Sequence, residues 1–205
     1  MMNDCYQKNY MRYDWLIFYE IDEFIYLKNI NNIKIYLGSP NFTNCESINL
    51  NWILHTDNNL LDYENKPLKE RFPEKENVIE FKAIKSILKG HIPNITINCV
   101  HTLNGNLKIC DGFGRPRNFT GIGTTDIDDK FFYIDHYASK STKEFIDKMN
   151  KGDVLYMKDN IFDRIKAYFV YNKITKEKLE YFDKYIPFFK TSSLKNNLLE
   201  KMQKY

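Results

Sequence analysis

Three carboxylates, Glu20, Asp22 and Glu23, interrupt an apolar run that opens at Trp15-Leu16-Ile17-Phe18-Tyr19 and resumes at Phe24-Ile25-Tyr26-Leu27. The run predicts a strand buried on both faces, as in a parallel sheet covered by helices. Side chains alternate across a strand, so Glu20 and Asp22 are expected on one face and Glu23 on the other. Adjacent carboxylates at the end of a buried strand repel each other and resist desolvation unless a cation or a proton neutralises them. A divalent metal is the expected counter-ion. The plainer alternative is a strand that stops at Tyr19, with the acids as solvated loop residues.

A second set of chemically capable residues, His136, Lys140 and Ser141, follows the aromatic run Phe131-Phe132-Tyr133-Ile134. That run reads as a strand, and Ser141 with Glu144 forms the S-x-x-E capping box that opens a helix. An imidazole can ligate a metal, an ammonium can pair with phosphate, and the amides at a helix start favour anions. Joined to Glu20 and Asp22, these groups would suit a metal-bound diphosphate. Each also has a structural reading: a hydrogen-bonded core histidine, a solvated lysine and a capping serine.

The elements that must position these groups follow from pattern and punctuation. Ser47 to Leu54 alternates, with Ile48, Leu50, Trp52 and Leu54 on one face, and predicts a half-buried strand. His55 to Glu76 is polar and reads as a long loop with one short helix, of the kind that often carries function. Short strands are expected around Ile79–Ser86, Thr96–Leu103 and Leu107–Ile109, with Asn104-Gly105-Asn106 as a hairpin turn. Gly152 suits the stop of the helix that Ser141 opens. Asp159 to Tyr205 has helical periodicity broken near Asn172 and Pro187, giving two or three amphipathic helices. The fold class expected is α/β.

Composition narrows the function classes. At 205 residues the chain is long enough for one domain with a real core. A net charge of +3 from 30 basic and 27 acidic residues argues against a protein built to neutralise nucleic acid. Fifteen Tyr and 15 Phe predict a largely aromatic core. Cys5, Cys45, Cys99 and Cys110 lack paired spacing, so reduced thiols in a cytoplasmic setting are expected, ahead of a zinc set from Cys99, His101 and Cys110. No run of about 18 apolar residues suggests a membrane span. Gly112, Gly114, Gly121 and Gly123 match neither nucleotide-binding fingerprint and read as turns.

The segment Trp15 to Phe24 resembles the W-x-x-x-x-D-x-D-E-F signature of glycosyltransferase family 92 and of related family 2-like proteins with the GT-A fold. His136 onward looks like the H-Y-x-x-K-S motif of the same families, while Leu50-Asn51-Trp52 and Glu70-Arg71-Phe72 resemble their L-N-W and E-R-F motifs. The resemblance implies a sugar transferase using a nucleotide-sugar donor and a glycan or protein hydroxyl acceptor. It also implies Mn2+ or Mg2+ held by Glu20, Asp22 and His136, with Trp52, Arg71, Lys140 and Ser141 binding substrate. Asp57 is the candidate for the base that deprotonates the acceptor, with Glu23, Asp62 and Glu64 as alternatives.

Two positions depart from the family pattern: Glu20 stands where Asp is usual, and His55-Thr56-Asp57-Asn58 replaces a Phe-Gly-Ser-like turn. Only thirteen residues precede Asp14, where the family has a nucleotide-binding half. The expected organisation is therefore a truncated GT-A-like mixed sheet over residues 1–155, lacking that half, and a helical extension over 156–205. A second chain completing the domain is one expected partner, and a non-catalytic binding or assembly module is the alternative function.

Overall fold

Residues 2–76, 82–99, 102–104, 106–117, 123–124, 128, 130–151 and 161–203 are described by a computed structural model. In chain order the elements are α1 (Met2–Asn9), β1 (Trp15–Ile17), β2 (Glu23–Leu27), α2 (Ile33–Leu37), β3 (Ser47–Leu54), α3 (Leu68–Arg71), β4 (Lys82–Lys89), β5 (Thr96–Cys99), β6 (Thr102–Asn104), β7 (Ile109–Cys110), β8 (Gly123–Thr124), β9 (Phe132–His136), α4 (Thr142–Lys151), α5 (Ile161–Tyr171), α6 (Lys176–Tyr185) and α7 (Ser193–Met202). The fold is mixed α/β. Its contacts divide into two compact units, Met1–Ile53 with Val78–His136, and Leu54–Asn77 with Tyr137–Tyr205.

The first unit is a mixed sheet in the order β1-β4-β3-β9-β2, with β7 added to β3 and β8 to β4. The pairs β1/β4, β3/β4, β4/β8 and β2/β9 are antiparallel and β3/β7 is parallel. This corrects the single strand expected from Trp15 to Leu27. β1 and β2 are successive in sequence but lie at opposite edges of the sheet, so residues 18–22 must cross the ends of the strands between them. Neither is the doubly covered central strand that the apolar run suggested. A ladder cannot continue through a tight turn, and Glu20 to Glu23 is one: the Glu23 amide donates to the Glu20 carbonyl at 3.1 Å.

One sheet face carries Trp15, Ile17, Ile25, Leu27, Ile48, Leu50, Ile87 and Ile134, packed with Tyr36 of α2 and with Phe42. Each fully buried Ile or Leu contributes about 1.5–3 kcal/mol relative to an exposed position. Tyr6 of α1 clusters with Leu88, Ile95 and Ile97. Its hydroxyl donates toward the Lys89 and Ile92 carbonyls, and Asn3 both donates to and accepts from the Ile97 backbone. β3 is buried on both faces from Ser47 to Asn51, more deeply than its alternation predicted. Gly90 is demanded by close approach, since a Cβ there would lie 1.7 Å from the Tyr13 carbonyl oxygen.

Two further expectations change. Cys45 and Cys110 form a disulfide, so the reduced-thiol reading fails for that pair, and Cys110 is no zinc ligand; His101 lies outside the described residues. Thr96–Leu103 is two strands paired antiparallel, Cys99 opposite Thr102, and Gly105 of the expected turn is outside the described residues. No described helix is long and apolar enough to cross a membrane.

In the second unit, Ile146 and Met149 of α4 share a core with Ile165, Tyr168 and Phe169 of α5, Leu179 and Phe182 of α6, and Leu194 and Leu198 of α7. The helical core therefore includes α4 together with α5, α6 and α7. The inward stripe of α4 is buried in that shared helical core. The breaks near Asn172 and Pro187 stand as predicted, and Thr175 and Ser192 cap α6 and α7 by accepting from the amides of Lys178 and Lys195. Gly152 lies outside the described residues.

Candidate metal centre

The register of β2 against β9 sets Glu23 opposite His136, Ile25 opposite Ile134 and Leu27 opposite Phe132. The turn before β2 then brings Asp22 and Glu20 to the same end of the sheet as His136. One ligand atom from each of Glu20, Asp22 and His136 lies within 4.8 Å of the others, and His136 Nε2 is 3.9 Å from Asp22 Oδ1. Among the described residues this is the one His/Cys/Asp/Glu group with such geometry. Asp22 and His136 are buried and Glu20 is exposed, so the cluster has a closed side and an open one.

The donor set fits a divalent cation. Around a six-coordinate ion with bonds of about 2.1 Å, donors stand roughly 3 Å apart when adjacent and 4 Å when opposite. Closing from the observed spacing takes less than about an ångström of side-chain movement on that geometry. Two carboxylates and one imidazole make a mixed oxygen and nitrogen donor set. Three protein ligands leave positions for oxygen atoms of a second molecule.

Glu23 is not on the opposite face as expected, since it stands opposite His136 in the ladder. It is 2 % exposed. One oxygen stands 2.9 Å from Lys85 Nζ, and Oε2 accepts the Glu20 amide at 2.8 Å. Burial raises its pKa, against the lowering effects of Lys85 and the Glu20 amide. Trp52 lies beside the site, its ring 4.2 Å from the His136 ring and 4.9 Å from Lys85 Nζ. Lys85 was missed in the sequence. Its signal is a lone lysine inside the aliphatic strand Ala83-Ile84-Lys85-Ser86-Ile87-Leu88, where a buried ammonium needs a carboxylate.

The remaining sequence candidates, Asp57, Arg71, Lys140 and Ser141, belong to the second unit. Asp57 is 1 % exposed, 2.6 Å from Lys178 Nζ, and bonded to the Tyr168 hydroxyl. That environment supports a packing role. Arg71 forms a two-point pair with Glu144, at 2.7 and 3.3 Å, and sits over the Tyr63 and Phe72 rings. The Ser141 amide and hydroxyl donate to Glu144 Oε2, and the Glu144 amide donates back to the Ser141 hydroxyl, completing the predicted capping box. Lys140 has a φ of 54° and lines a cavity of about 390 Å3 with Ser139, Lys148 and Lys151.

The capping box makes a pH prediction. Burial pushes the Glu144 carboxyl up, but Arg71 and Ser141 together hold it below its ordinary value of 4.5. A carboxylate with a depressed folded pKa contributes stability above its unfolded pKa and loses it as pH falls through the folded one. Acid titration of the helical signal is therefore expected to show a loss below pH 4.5 that Glu144→Gln removes. An unchanged titration in Glu144→Gln would contradict this.

Comparison with known proteins finds no family model and no curated protein that matches the chain.

Proposed function

We propose that the chain is a metal-dependent glycosyltransferase, or the metal-binding portion of one, acting on a nucleotide-sugar donor and a hydroxyl acceptor. The observation that carries the reading is the convergence of Glu20, Asp22 and His136 from two separate segments onto one partly open spot. The residues around it support it: Trp52 offers an indole face suited to a sugar or a base. The order of the four motifs along the chain supports it as well.

In this reading Asp22 and His136 hold Mn2+ or Mg2+ from the closed side and Glu20 from the solvent side. Bound there, the ion supplies Lewis-acid stabilisation of the charge on a departing diphosphate. The chain's own share is to fix three donors and to keep the apolar end of the sheet dry behind them. The Cys45–Cys110 bridge supports work in an oxidising compartment in place of the cytoplasm expected from the thiol spacing.

Titration of UDP and GDP with and without Mn2+ tests the reading. Mn2+-dependent binding of a nucleoside diphosphate is expected, and Asp22→Ala should weaken Mn2+ binding by more than about 100-fold, since even residues behind a ligand are worth 10–100-fold. Binding that is equally tight without metal, or unchanged in Asp22→Ala, would sink it.

A further inference from the structure

We propose that Lys85 is a positioning residue for the cation site, organising both of its limbs at once; this rests on the cation-binding reading above. Lys85 lies on β4, an inner strand of the sheet, and its side chain is fully buried, so it cannot touch a substrate. Its surroundings are nevertheless those of the site. On one side Nζ lies 2.9 Å from Glu23, whose Oε2 accepts the Glu20 amide at 2.8 Å. Together with the Glu23 amide donating to the Glu20 carbonyl, this closes the turn that bears Glu20 and Asp22 from both ends. On the other side Nζ sits 4.9 Å from the Trp52 ring, and Trp52 packs at 4.2 Å on the His136 ring.

The chemistry explains why a lysine is needed there. A buried carboxylate beside two further acids would swing toward a bound cation unless a fixed positive charge held it. A displaced Glu23 would release the Glu20 amide and let the acidic turn open. An indole under a buried ammonium is likewise held at one tilt, and that tilt sets the edge against which the imidazole rests. One ammonium thus braces the acid limb through Glu23 and the imidazole limb through Trp52, while touching neither the ion nor its ligands.

Mn2+ titration of the metal-free protein, read beside urea unfolding in EDTA, separates positioning from stability. Lys85→Met is expected to lower the urea midpoint and to weaken Mn2+ binding at least tenfold. In the double variant Glu23→Gln/Lys85→Met neither partner is left charged, so the urea midpoint should return toward wild type while Mn2+ binding stays at least tenfold weaker. The double variant carries the test if Lys85→Met does not fold. Wild-type Mn2+ affinity in the double variant would overturn the proposal and leave the cation site standing. A wild-type protein that binds no Mn2+ would overturn both.

Discussion

Replacing Lys178 with methionine is expected to destabilise the helical unit by about 3–5 kcal/mol, the usual effect of leaving one member of a buried ion pair without its partner. Lys178 is fully buried, and its ammonium meets Asp57 at 2.6 Å, Asn59 Oδ1 at 3.1 Å and the Lys173 carbonyl at 2.9 Å. Asp57 is tied further by the Tyr168 hydroxyl and by the Asn59 amide at 2.9 Å, while its own amide donates to Asn172 Oδ1 at 2.6 Å. Asn172 in turn donates to Ser139 and to the Tyr168 carbonyl. Burial lowers the Lys178 pKa against the pull of Asp57, and it raises that of Tyr168 together with the Asp57 charge. The carboxylate left by Lys178→Met would stay buried without a counter-charge. Urea unfolding followed by the helical signal should show the loss, and Asp57→Asn/Lys178→Met should recover most of it, because a neutral pair leaves no buried charge. A loss under about 1 kcal/mol would show the pair to be solvated, as surface pairs are. The double variant also separates two roles of Asp57. If it is stable yet inactive in transfer, the carboxylate has a chemical task beside its structural one.

What the sequence made legible is what local rules control. The Ser141–Glu144 box, the breaks at Asn172 and Pro187 and the span of β3 each depend on a few neighbouring residues, and all three stand in the structure. The grouping of Glu20, Asp22 and His136 was expected from the resemblance, but the acids lie in the turn before β2 and not at the end of the strand that opens at Trp15. The path of the chain between β1 and β2 was not legible. A run of apolar residues predicts burial without naming the strand that it pairs with, and here the partners, β4 and β9, come from opposite sides of the sheet.

The roles of individual charges were the harder part. Glu23 and Asp57 have the residue types of catalytic bases, yet each is opposed by a lysine far along the chain, Lys85 and Lys178. Nothing in the local sequence announces such a pairing, because it is made by tertiary register. Arg71 and Ser141 were read as substrate contacts from motif position, and both converge on Glu144, so the motif encodes at least one structural triad. The same residues can be kept for folding or for chemistry, and only the contact made by the side chain tells the two apart.

Cleaving the Cys45–Cys110 bridge is expected to cost about 4 kcal/mol, from the loop-closure entropy that a cross-link of this span removes from the unfolded chain. The bridge joins residues 65 apart, and the loop it closes contains β3, β4, β5 and β6. Both sulfurs are buried in the core that Ile48 and Leu50 share with Ile87 and Ile134. The folded pair is already aligned without the bond, since β7 lies on β3 with Cys110 opposite Ile48. The main effect therefore falls on the unfolded state, and the native sheet should persist in Cys45→Ser/Cys110→Ser at low temperature. Urea unfolding with and without dithiothreitol measures the difference directly, and coincident transitions would show that the pair is reduced in the native protein. Cys5, exposed on α1, should react with a thiol reagent under both conditions, whereas Cys45 and Cys110 should react only after reduction and unfolding. Because Trp52 and Lys85 lie on strands inside the closed loop, the Mn2+ binding proposed above should match wild type in the folded serine variant and be lost only on the cooperative unfolding of the sheet.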